Sequence, residues 1–157
     1  MEKENKLSMV IFSGDMDKIL AAFVIATGAA ASGMEVTMFF TFWGLQALKK
    51  SRRTGKGLFG KMLGFMLKDI KKLNPSKMSF CGLGRWMFKK MMRAKNVPLP
   101  EELRKMAIEL GVKIVPCQMS MDVMEIQKED LIDEAQAPVG VASFLEEASK
   151  SKITLFI

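Results

Sequence analysis

Apolar and polar positions along the chain alternate between short runs and longer stretches in a way that predicts strands and helices in turn. Leu7 to Ser13 (LSMVIFS) is a short apolar run broken at Gly14 and followed by Asp15, Met16 and Asp17. That order reads as strand, tight turn and helix N-terminus, with the acids as capping groups. Asp17 to about Ser32 is Ala, Ile, Leu and Val with one Lys, which predicts a helix covered on both sides and stopped at Gly33. Glu35 to Thr41 (EVTMFFT) is a second buried strand directly after the helix, so the two form a βαβ unit with parallel strands.

Gln46 to about Lys72 is helical in composition but interrupted at Ser51 to Gly60 by a basic, glycine-containing stretch. Lys77 to Cys81 (KMSFC) reads as a short strand ended by Gly82 and Gly84, before a basic helix from about Trp86 to Lys95. Pro100 to Leu110 carries Pro at its start, Glu101 and Glu102 in its first turn and Gly111 at its end, all signals of a helix. Val112 to Val115 is the next strand, with Ser120 or Asp122 as the cap of a short helix to about Ile126. A weaker helical piece follows at Asp130 to Ala135, then a helix over Val139 to Lys150 and a terminal strand, Ile153 to Ile157. The expected class is α/β, one domain over residues 1–157 built on a mostly parallel sheet, with a basic, Met-rich helical insertion at about 49–95.

Composition narrows the chemistry. The 157 residues include two cysteines, Cys81 and Cys117, and no histidine. Nucleophile–histidine triads therefore cannot be built, and a zinc site would need both thiolates and carboxylates, so neither a metal nor a cofactor is expected. Two cysteines are also far from a disulfide scaffold. The longest apolar stretch, Ile19 to Met34, falls short of the roughly 20 residues that span a bilayer. The N-terminus mixes acids with lysines and has no signal-peptide pattern, so a cytoplasmic protein is expected.

Charge is divided unevenly. Lys49 to Lys95 holds 15 of the 24 basic residues and a single acid, Asp69; the segment is +14 and the remainder −7. Interleaved with Met62, Phe65, Met66, Trp86, Met87, Phe88, Met91 and Met92, it suits an anionic membrane surface, a nucleic acid or an acidic protein. It is equally readable as a solvated basic face whose apolar side packs on the sheet or on a second subunit.

In a parallel sheet, ligands collect outside the carboxyl ends of the strands. The Ser13 turn, Cys81 and Cys117 all follow predicted strands, which places them on one crevice. Cys117 precedes a helix N-terminus, where partial positive charge favours a thiolate; it also reads as one more small apolar residue in a core. Cys81, between Phe80 and Leu83, reads as a packing residue or as a second, resolving thiol. Ser13, Gly14 and Asp15 lack the spacing of dinucleotide or P-loop sites, which leaves nucleotide or flavin binding resting on fold analogy. Phe42 and Trp43 are wall or ligand platform.

Three stretches together resemble the DsrE/DsrF-like sulfur-relay family, in particular its DsrE-type, peroxiredoxin-like branch. They are FSGDMDKILAAFVIATGAAASGMEVTMFFTFWGL (Phe12 to Leu45), CQMSMDVM (Cys117 to Met124) and GVASFLEEASKSKITLFI (Gly140 to Ile157). The resemblance covers nearly the whole chain, and the Cys-x-Met-Ser-Met-Asp segment is its most specific part. It implies a three-layer, flavodoxin-like domain with helices on both faces of the sheet, homo-oligomers, and transfer of sulfane sulfur with a TusA-like partner. Cys117 would be the sulfur-accepting nucleophile, as a persulfide or thiosulfonate, and Cys81 a second thiol. Ser13, Gly14, Asp15, Gln118, Met119 and Ser120 are the expected substrate contacts, and no nucleic-acid partner is expected. Where the family pattern often has Gly after the Val-Met of the motif, this chain has Glu125, a negative charge expected to raise the thiol pKa or change partner choice. The rival readings are a dithiol redox protein using both cysteines and a membrane-surface or protein-interaction adaptor acting through 49–95.

Overall fold

The structure is a computed structural model and describes residues 4–77 and 79–157. Four strands, β1 (Glu4–Ile11), β2 (Glu35–Phe40), β3 (Lys113–Pro116) and β4 (Ser151–Phe156), form one parallel sheet in the order β3-β2-β1-β4. β1 and β2 pair from Lys6 with Glu35 to Ile11 with Phe40. This register puts Leu7, Met9 and Ile11 on the same face as Val36, Met38 and Phe40. Helix α1 (Met16–Ala31) packs on that face through Ile19, Phe23 and Ala26, and α4 (Pro100–Glu109) lies beside it with Leu103 and Ala107 in the same core. The local signals at α4 act as expected: Pro100 opens it and the Glu102 carboxylate accepts the Leu99 amide at 2.7 Å.

The opposite face carries Ser8, Val10, Thr37, Phe39, Val115 and Cys117 and is covered by one nine-residue helix, α6 (Val141–Ser149). Phe144 stacks on Phe39 with centroids 4.6 Å apart, and Glu147 accepts the Thr37 hydroxyl at 2.9 Å. Helices on both faces of a parallel sheet give the three-layer α/β class expected from the sequence.

Several local expectations are corrected. The helix at Met16–Ala31 is not enclosed: Val24 and Ile25 are exposed, because only one of its faces meets the sheet and α4. Its acids do not cap it. Asp15 pairs with the Ser13 hydroxyl and with Lys18, while Asp17 accepts the amide and hydroxyl of Ser76, both at 2.7 Å. Residues 79–82 form no strand: Phe80, Cys81 and Gly82 all have positive φ in a 3-10 turn, a conformation incompatible with a ladder, and Met78 lies outside the described residues. No helix forms over residues 131–135; the 3-10 turn Lys128–Asp130 ends where a helix from Asp130 to Ala135 was expected to begin.

The chain between β2 and β3 runs through a 3-10 turn (Phe42–Ala47), helix α2 (Leu58–Met66), a second 3-10 turn (Ile70–Lys72) and helix α3 (Leu83–Ala94) before α4. Its basic start is tied to the acidic chain that follows the short helix α5 (Gln118–Val123). Arg52 pairs with Asp130, Lys50 with Asp133 at 2.7 Å, and the Glu125 carboxylate accepts the amides of Lys56 and Gly57 at 2.6 and 3.1 Å. These two amides immediately precede α2, with Gly57 as its N-cap, so Glu125 holds the entry to the helix from outside.

The Lys56 and Gly57 amides hold the Glu125 carboxyl below its ordinary value of 4.5. A depressed carboxyl stabilises the fold above its ordinary value and loses that contribution as pH falls through the lowered one. Amides of residues 56–64 are therefore expected to lose protection, measured relative to their intrinsic exchange rates, below about pH 4.5. In Glu125→Ala, trypsin should cut after Lys56 and Lys61 several-fold faster at neutral pH, with the sheet amides unaffected. Unchanged cleavage would show that the carboxylate does not hold α2.

Candidate functional site

Cys117 stands where β3 ends and α5 begins. Its amide donates to the Phe40 carbonyl at 2.8 Å, continuing the ladder to β2, and its carbonyl accepts the Met121 amide at 3.0 Å, opening α5. The residue is both the last rung of the sheet and the N-cap of a helix, with extended backbone angles (φ −81°, ψ 119°). Neither Ser120 nor Asp122 caps α5. The Ser120 hydroxyl pairs with Thr41 at 2.7 Å, joining α5 to the end of β2, and Asp122 accepts the Gln118 side-chain amide at 2.8 Å.

The thiol is buried, with the residue 3% exposed, in a small apolar cluster with Phe39, Val115, Phe144 and Ala148. Val139 closes the cluster from the side: its amide donates to Pro116 and its carbonyl accepts the Gln118 amide, at 3.1 and 3.0 Å. Gln118 and Met119 are exposed and Ser120 is buried.

Ser13, Gly14 and Asp15 lie at the end of β1, next to β2 and so two strand spacings, about 10 Å, from the end of β3. They line a cleft of about 460 Å³ with Lys18, Trp43 and Lys68. Gly14 is required there, because a Cβ would press on the side-chain amide of Gln46 and the Trp43 carbonyl. Trp43 is thus a wall of this cleft, whereas Phe42 packs against Phe12 with ring centroids 5.8 Å apart. The cleft does not include Cys117, Gln118, Met119 or Ser120, so the single crevice expected from topology separates into a polar cleft at β1 and an apolar nest at β3.

Cys81 is not at a strand end. It sits exposed in the turn before α3, with φ of 50°, and both cysteines are free thiols. Among the described residues no group of three or more acidic or cysteine side chains is arranged to hold a metal ion. No helix described is long and apolar enough to cross a membrane. Glu125 does not act on Cys117 by any hydrogen bond; its carboxylate is engaged by the start of α2. Its φ of 49° is in the left-handed region that glycine adopts most easily.

Sequence reasoning missed Phe144 as the cover of Cys117. The signal was present in the spacing Val141, Phe144, Leu145, Ala148, one helix face, but nothing in it says which strand residue lies beneath.

Residues 3–156 match the sequence model of the DsrE/DsrF/DrsH-like family. The chain is 43% identical over 159 residues to YrkE, an uncharacterized protein of Bacillus subtilis, covering 99% of each. It is 36% identical, over the same length and coverage, to the sulfur carrier protein DsrE2 of Allochromatium vinosum. The crystal structure of the ychN protein of E. coli covers the whole of both chains with a TM-score of 0.57 at 10% identity, a likeness of fold. From the match over nearly its whole length and from these relatives, the chain belongs to the DsrE/DsrF/DrsH-like family.

Proposed function

We propose that this protein is a sulfur carrier that takes up sulfane sulfur on Cys117 and passes it to an acceptor thiol. The observation that carries the reading is the place of Cys117, directly after β3 and N-cap of α5, in a chain 36% identical to a protein named as a sulfur carrier.

The exchange needs no external oxidant. The Cys117 thiolate attacks the sulfane sulfur of a donor persulfide; the Sγ–S bond forms, the donor S–S bond breaks, and the donor leaves as a thiolate. An acceptor thiolate then attacks the outer sulfur of the Cys117 persulfide, takes it, and releases the Cys117 thiolate. A donor bearing a thiosulfonate follows the same course: attack on the sulfur next to the sulfonate transfers the thiosulfonate and releases the donor thiol. Thiol exchange depends on thiolate nucleophilicity and a good leaving group rather than on a histidine base, which suits a chain without histidine. A small TusA-like carrier in the reducing cytoplasm is the exchange partner proposed, with this chain as a homo-oligomer and Gln118 and Met119 at the contact.

The burial of Cys117 gives the reading a structural requirement. The sulfur becomes reachable when the start of α6 lifts from Phe39, which breaks the Phe144 stack and the two bonds to Val139. An apolar nest also suits the cargo, because a persulfide sheltered from water and free thiols is not lost to side reactions.

Incubation with polysulfide, with thiosulfate or with a persulfidated TusA-like carrier, followed by intact-protein mass spectrometry, tests the proposal. The expected outcome is an added sulfur, with sulfite released when thiosulfate is the donor, that maps to Cys117, disappears in Cys117→Ser and persists in Cys81→Ser. An adduct confined to Cys81, or none from any donor, would overturn it.

A further inference from the structure

Helix α2 is built inside out. At 100° per residue, Leu58, Phe59, Met62, Phe65 and Met66 fall within one arc of about 120°. That arc faces solvent: Leu58, Phe59 and Phe65 are 82%, 78% and 74% exposed. The face turned to the protein carries Gly60 and Gly64 instead. A Cβ on Gly64 would run into the Thr54 backbone, and one on Gly60 into the Glu125 carboxylate. Small residues thus fix the helix closely to the body, and Glu125 holds its entry. The outward apolar arc is a fixed feature of the fold.

Beside this arc lies a second feature, a cavity of about 350 Å³ lined by Lys49, Arg52, Arg53, Lys68 and Lys72, with Asp69 as its acid. Arg52 is paired with Asp130 and Lys72 with Asp69, whereas Arg53 and Lys68 make no ion pair with a described residue. Phe65 belongs to both features: it lines the cavity, stands exposed on the arc, and has the Arg53 guanidinium 5.9 Å above its ring. Residues 49–68 contain seven basic residues and no acid. Helix α3 repeats the combination, with Leu83, Trp86, Met87 and Met91 exposed among Arg85, Lys89, Lys90 and Arg93.

We propose that this chain docks on an anionic phospholipid surface, with the cavity between Arg53 and Lys68 taking a headgroup phosphate and the outer arc of α2 entering the acyl boundary. A cation-lined cavity alone would suit any soluble phosphate. The exposed phenyl and thioether groups running on from its rim have no use for a small hydrated ion, and they match the apolar layer directly beneath lipid headgroups. A second copy of this chain is the poorer occupant. Docking two α2 faces would set one set of seven cations against another, and most acids elsewhere in the chain already hold partners, among them Glu35, Glu101, Asp130 and Glu147.

Co-sedimentation of the full chain with phosphatidylcholine vesicles, with and without roughly a quarter phosphatidylglycerol, tests this. Binding is expected only to the phosphatidylglycerol vesicles and should fall about tenfold or more as salt rises from about 0.1 to 0.5 M. The double variant Phe59→Ser, Phe65→Ser should lose binding about tenfold or more, as should Arg53→Glu with Lys68→Glu. Phe59, Phe65 and Arg53 are exposed and Lys68 is half-buried, so circular dichroism should show the fold retained in both double variants, and Cys117→Ser should bind like the parent. Equal binding to both vesicle types, or to neither, would overturn the proposal. So would vesicle-free self-association that the Phe59 and Phe65 substitutions abolish, since a second copy would then cover the arc. Because Cys117 takes no part, failure here leaves the sulfur-carrier reading standing, and the converse holds.

Discussion

A side chain on a β-strand has two faces to choose from, and in this molecule that binary choice allocates nearly everything else. Once Leu7, Met9 and Ile11 commit β1 to the α1 side, the parallel register sends Val36, Met38, Phe40 and Ile114 with them. The same alternation delivers Phe39, Val115 and Cys117 to the opposite side. The first face becomes the main core under two helices. The second is left with one short helix, so the candidate nucleophile lies under the thinner of the two outer layers.

That asymmetry connects packing with chemistry. On the α1 side, displacing a helix would expose a core that includes Phe23, Phe40 and Leu103. On the α6 side the contacts over Cys117 are one aromatic stack and a few neighbours, a weaker cover by comparison. Glu147, bound to Thr37 and close to Lys113, anchors the far end of α6. A helix held at its end and stacked at its start has the means to uncover the thiol while staying attached.

The class of the fold was legible in the chain because its cues are local and repeated. A short apolar run, a turn at Gly14 and an apolar helix before EVTMFF define a parallel βαβ unit with no tertiary information. The position of Cys117 was legible for the same reason, since a strand running into a helix marks the boundary. What failed depended on partners far away in sequence. Asp15 and Asp17 were open to capping, but Ser13, Lys18 and Ser76 took their oxygens. Lys77 to Cys81 had strand composition, yet Phe80 and Cys81 take positive φ in the turn into α3. The outward face of α2 was hidden as well, because apolar periodicity identifies a face without saying that Gly60 and Gly64 would turn the other one inward.

Sulfur transfer through Cys117 requires a reactive thiol reached by moving α6. The direct measurement is the rate at which Cys117 reacts with iodoacetamide in a Cys81→Ser background, with and without Phe144→Ala, followed by mass spectrometry while circular dichroism monitors the fold. Removing the phenyl ring costs about 3–5 kcal/mol of packing and takes the cover from the sulfur. The predicted result is slow labelling in the parent and labelling about tenfold faster or more in the Phe144→Ala variant with the fold retained. Equal rates in the two proteins would contradict it, leaving Cys117 as a packing residue.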